Sequence, residues 1–104
     1  MSPTDRRTDR STLLRLGFQR VDEAVAGLTA LGPYADGLRD ALGRSADPDA
    51  ALASLLELAD AEDRDALLTT LVDDPATADR LLGVLGASTA LADHVVRVPG
   101  AWRD

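Results

Sequence analysis

Apolar positions recur along this chain with the period of a helix rather than of a strand. Val21, Val25, Leu28 and Leu31 fall at i, i+4, i+7 and i+10 and share one helix face. Gly32-Pro33 ends that stripe, because Gly suits a positive-φ C′ position and Pro cannot continue the helix. Tyr34, Leu38 and Leu42 form a shorter stripe stopped by Gly43. Asp47-Pro48 then signals a start, since Asp accepts a backbone N–H as N-cap and Pro at N1 gives up no needed donor. Leu52, Leu55, Leu56 and Ala59 follow on one face, and a break at 60–63 precedes Leu67, Leu68, Leu71 and Val72. Asp74-Pro75 repeats the start signal ahead of Ala78, Leu81, Leu82 and Leu85. Gly86 is expected to close that helix and Ser88 to cap the last one, whose inward face is expected to carry Leu91, His94, Val95 and Val98 before Pro99-Gly100.

No alternating run of β-branched residues is present, so the expected fold is all-α: an irregular bundle of five to six short helices joined by short connections. Residues 1–12 read as a disordered polar leader and 13–104 as the helical segment. The two Asp-Pro starts do not make a repeat array. Leu52 aligns with Asp79 and Leu56 with Gly83, so the apolar register is lost within one turn of the match.

The composition narrows the picture. At 104 residues the chain forms one domain, burying roughly 65% of its unfolded surface. Aromatics are confined to Phe18, Tyr34 and Trp102, so the core rests on Leu, Val and Ala. There is no Cys, hence no disulfide and no thiolate metal site. The net charge is −7 and every basic residue is Arg. This balance argues against nucleic-acid and anionic-membrane partners, which need a basic footprint. No stretch reaches the about 18 apolar residues of a membrane span, and no signal peptide is visible, so a cytoplasmic location is expected.

Candidate chemistry is sparse. His94 is the only histidine, and its place in an apolar stripe favours a half-buried helix residue over a general base or ligand. Asp63-Arg64-Asp65 spells D-x-D, which binds divalent metals when carried on a strand. At a helix start the two carboxylates diverge by about 200°, and attraction to the helix N-terminus explains them better. Asp47, Asp49, Asp73 and Asp74 yield to the same argument. Gly83 to Ser88 (GVLGAS) faintly resembles a phosphate loop, but it lacks the Lys and follows a helical stripe. No catalytic, cofactor-binding or metal-ligating residue is therefore expected. A change of Leu85 to Asp should disrupt more than Arg64 to Ala, Arg64 being placed on a solvated face.

Leu81 to Trp102 (LLGVLGASTALADHVVRVPGAW) carries a family resemblance. It resembles the N-terminal helical region of the bifunctional glutamine-synthetase adenylyltransferase/adenylyl-removing enzymes of actinobacterial type. Val84 to Ser88, Leu91 to Val96, Pro99 and Trp102 match that pattern, while Val98 stands where the family usually has His. Arg15 to Phe18 and Asp47 to Leu58 resemble upstream blocks. The resemblance implies a nucleotidyltransferase that adenylylates glutamine synthetase with ATP and Mg²⁺ and removes the group by phosphorolysis, regulated by glutamine and the PII protein. The family's catalytic motif, a Gly-rich turn and a strand-borne D-x-D, lies downstream and has no match here. The resemblance therefore implies a non-catalytic leader preceding an absent nucleotidyltransferase domain, with Pro99 and Trp102 near the junction and the rest of the parent enzyme as partner. The alternative is an independent helical interaction or dimerisation module.

Overall fold

In a computed structural model, which describes residues 10–103, the chain is all-α. Seven α-helices run in the order α1 (Arg10–Leu16), α2 (Val21–Leu31), α3 (Ala35–Arg44), α4 (Pro48–Ala61), α5 (Arg64–Asp73), α6 (Pro75–Ala87) and α7 (Thr89–Arg97). Single 3₁₀ turns follow at Gly32–Tyr34 and Ala101–Arg103. The six expected stripes each become a helix. The additional α1 starts at Arg10, inside the span expected to be leader, while residues 1–9 lie outside the described residues.

Helix α4 is the axis of the bundle. It packs against α2, α3, α5, α6 and α7, most extensively against α6. Its buried face is Pro48, Ala51, Leu52, Leu55, Leu58 and Ala59, and that of α6 is Ala78, Leu81, Leu82 and Leu85. Alternating Leu with Ala lets two helices approach closely while still filling the space between them. Phe18 and Trp102, 1% and 4% exposed, add the two large rings of the core, one contributed near each end of the described chain. Every buried core residue among those described is apolar.

The helix boundaries follow the chemistry of single residues. Asp47, Asp63, Asp74 and Ser88 each accept a hydrogen bond from the amide three residues on, at 3.1, 3.3, 3.3 and 3.2 Å. Each satisfies one of the orphan donors of a helix start. Gly32 takes φ +62° at the end of α2, as expected.

Gly43 and Gly86 do not end helices. Both lie inside them, α3 running on to Arg44 and α6 to Ala87. They are points of close approach instead. A Cβ on Gly43 would come within 2.7 Å of Leu16 Cδ2, and one on Gly86 within 3.0 Å of the Asp47 carbonyl oxygen and of the Ser45 side chain. Arg64 departs from expectation as well. It is half-buried, and its Nη2 donates to the Ala30 carbonyl near the end of α2, joining two helices far apart in the chain.

Gly83 lies on the same helix as Gly86, but a Cβ there would meet nothing within 4 Å. The two sites should therefore respond to alanine with opposite signs. Gly83→Ala should stabilise by up to about 1 kcal/mol through helix propensity. Gly86→Ala should destabilise by about 1–3 kcal/mol, since backbone cannot yield as a flexible side chain does. Urea denaturation followed by circular dichroism measures both, and a stabilised Gly86→Ala would show that the 45–47 loop gives way.

Candidate functional site

Asp73 aside, the acidic residues that invited a catalytic reading are engaged in holding helices. Asp63 caps α5 by accepting from Ala66 N, whereas Asp65 accepts the Tyr34 hydroxyl at 3.4 Å. The D-x-D carboxylates thus serve different parts of the molecule. Asp74 accepts both the amide and the hydroxyl of Thr77, at 3.3 and 2.7 Å, while Asp73 is the exposed last residue of α5. Asp47 caps α4. Among the described residues no three His, Asp or Glu side chains converge on one point. Residues Gly83 to Ala87 complete α6 and Ser88 caps α7, so this stretch forms no phosphate loop.

Asp49 does more than sit at a helix start. From the first turn of α4 its carboxylate accepts the amides of Gln19 at 2.7 Å and Arg20 at 3.3 Å. Helix α2 has no side-chain cap of its own, its N-cap position being Arg20. Asp49 supplies a capping group from another helix and fixes the α1–α2 elbow against α4. Glu62 acts similarly at the other end, accepting the Gly100 amide at 3.0 Å and tying the turn after α7 to the α4–α5 junction. Sequence reasoning missed both roles. The partners lie 30 and 38 residues away, and no local pattern marks such pairs.

His94 is exposed rather than half-buried. Helix α7 buries Ala92 and Val95, with Val96 packed partly against the core, while Leu91 and Val98 remain 53% and 41% exposed. The expected inward stripe is therefore met only at Val95. The reason is rotational phase: α7 packs against α4 and α6, and where those two helices stand sets which of its residues face inward. Trp102, expected near a junction, is buried in the chain's own core, whereas Pro99 is exposed.

The concavities beside α4 are small. One of about 130 Å³ lies between α2 and α4 and one of about 250 Å³ between α4 and α7. Small-molecule sites occupy roughly 300–1,000 Å³. A hollow of about 500 Å³ beside Leu14 and Val21 is wide open to solvent, with Gln19, Arg20, Asp22 and Glu23 around it. The surface feature with a pattern is α7. Leu91, Val95 and Val98, at i, i+4 and i+7, follow one edge of the helix. Val95 also lines a groove of about 100 Å³ with Leu81, Val84, Ala101 and Trp102.

The Thr77 hydroxyl, followed by the Thr77 amide, holds the Asp74 carboxyl below its ordinary value of 3.8. A carboxyl so lowered favours folding in its ionised form. Its contribution is complete above the unfolded value and is lost as pH falls through the folded one. Asp74→Asn keeps a capping oxygen but does not titrate. The Tm difference between the parent and this variant should stay constant above about pH 5 and shrink below about pH 4. A thermal-melt series showing the same difference at neutral and acid pH would refute the role given to Asp74.

No family model matches the chain, and no solved structure matches it. Several sequences do. The bifunctional glutamine synthetase adenylyltransferase/adenylyl-removing enzyme of Streptomyces avermitilis is 46% identical over 110 residues, covering 98% of this chain and 11% of the relative. The enzyme of the same description from Streptomyces coelicolor is 45% identical over 113 residues, covering 99% and 11%. That of Mycobacterium marinum is 35% identical over 114 residues, again covering 99% and 11%. The chain thus spans about a tenth of the length of the relatives it matches. Across almost all of its own length, this chain is similar in sequence to one short stretch of the actinobacterial glutamine synthetase adenylyltransferase/adenylyl-removing enzymes.

Proposed function

We propose that the chain is the non-catalytic N-terminal helical segment of such an enzyme, and that its function belongs to the whole polypeptide. The observation that carries this reading is similarity running through 98% of the chain while reaching only 11% of the relative. The engagement of Asp47, Asp49, Asp63, Asp65 and Asp74 in caps and ties supports it, because it leaves no converging acids in the described helices.

On this reading the parent enzyme works in the cytoplasm and adenylylates glutamine synthetase. ATP and Mg²⁺ supply the adenylyl group and its charge neutralisation. The same enzyme removes the group by phosphorolysis, under control of glutamine and the PII protein. Among the described residues, the two stretches that suggested a metal or phosphate site do not fit Mg²⁺ or ATP. The D-x-D carboxylates diverge, and the GVLGAS stretch is helix and cap. Its part is structural: a rigid bundle that carries a surface for the remainder of the enzyme. No helix among the described residues is long and apolar enough to cross a membrane.

Two measurements test the reading. Incubated with glutamine synthetase, radiolabelled ATP and Mg²⁺, the purified chain should transfer no label. In the source gene, the frame should run past the Asp104 codon into a Gly-rich turn and a strand-borne D-x-D. Transfer of label by the chain alone would overturn the non-catalytic assignment. A stop codon directly after Asp104 would overturn the parent enzyme and leave a free-standing interaction module.

A further inference from the structure

Residues 10–20 are joined to the bundle differently from the rest. Helix α1 is closed by a cap made within its own stretch of chain. Gly17, at φ +103°, donates its amide to the Leu14 carbonyl, and Phe18 donates to that of Leu13, both at 3.1 Å. Such a pair of bonds closes a helix with no partner from elsewhere. The next two amides have a different partner. The Asp49 carboxylate of α4 accepts Gln19 N–H at 2.7 Å and Arg20 N–H at 3.3 and 3.4 Å to its two oxygens. Helix α2 begins directly after Arg20. The Arg20–Glu23 pair beside this link, 4.0 Å apart and exposed, adds little to it.

We infer that residues 10–20 form a flap that opens as one unit from the α2–α7 body, with Gln19–Arg20 as the hinge and Asp49 as the latch. The flap rests mainly on α2 and α3. Its anchors are Leu13 and Phe18, 0% and 1% exposed, while Leu14 is 60% exposed. Leu16 lies over Gly43, which offers no side chain to grip, and Gly17 lies beside the Pro48 ring. The packing of α4 on α6, the most extensive in the bundle, involves no residue of the flap, so it stands when the flap lifts. Segments that open independently are those with few buried contacts to the body. A helix of seven residues does not persist in water off its seat, so opening frees its amides together. It also withdraws Leu13, Leu16 and Phe18 and bares the apolar surface beneath them. The grip of Asp49 on two amides sets how often that surface is open.

Native-state hydrogen exchange of this chain, at a series of low urea concentrations, tests the flap and its latch separately. The amides of residues 14–20 should exchange about tenfold or more faster than those of α4 and α6. Their rates should depend little on urea, because lifting the flap exposes little surface. Leu82→Val, at a fully buried position of α6, should speed the α4 and α6 amides about threefold or more. It should leave residues 14–20 near the parent rate, since it weakens the closed and open forms alike. Asp49→Ala should speed residues 14–20 about tenfold, and Asp49→Asn, which keeps an acceptor oxygen, should restore most of the protection. Equal rates and urea slopes for residues 14–20 and α4 would overturn the inference, because the chain would then open only as a whole. Acceleration of residues 14–20 by Leu82→Val would do the same. Unchanged exchange at residues 14–20 in Asp49→Ala would overturn the latch. The parent and Leu82→Val decide whether the flap exists with Asp49 in place.

Discussion

The packing of α4 against α6 is the contact on which the rest of the bundle depends. Helix α4 also touches α2, α3, α5 and α7, so a shift of its axis would disturb nearly every element. Its buried face consists of Leu and Ala with Pro48 at its start. Burying each Leu contributes about 1.5–3 kcal/mol. The small residues between them set how near the neighbouring helices come. A core of this kind gains cohesion from area rather than from interlocking shapes, which is why the close contacts at Gly43 and Gly86 matter. They bring α1 against α3, and α6 against the loop entering α4.

Around that apolar centre, polar groups do positional work at the surface. Asp49 holds the start of α2, Glu62 holds the turn after α7, and Arg64 reaches the last turn of α2. Arg44 meets Asp79 at 2.6 Å across α3 and α6, although an exposed pair of this sort is worth only about 0–1 kcal/mol. The excess of acid in the chain thus has a structural use. Carboxylates gather where helix starts present unpaired amides, and there they offset the partial positive charge of the helix end.

The described bundle spends its carboxylates on caps and ties between helices. The interior is apolar throughout the described residues, and the spaces that α4 leaves against α2 and against α7 are about 130 and 250 Å³. What remains distinctive is one helix edge that the bundle does not finish covering.

Helix class and helix starts were legible in the residues themselves. The period of Leu and Ala marks a face, and Asp before Pro marks a beginning, because both depend on atoms within one or two turns. The family relationship was legible in the same way, from the block Leu81 to Trp102. Three features were settled only by the tertiary structure. Gly43 and Gly86 read as terminators, yet serve as contact points, since a missing Cβ has the same appearance in both uses. Asp49 and Glu62 bond to amides 30 and 38 residues away, a proximity created by folding. The phase of α7, which turns Ala92 and Val95 inward and leaves Leu91, His94 and Val98 outside, was set by where α4 and α6 stand. Periodicity determines that a helix has an apolar side; only its neighbours determine how much of that side they cover.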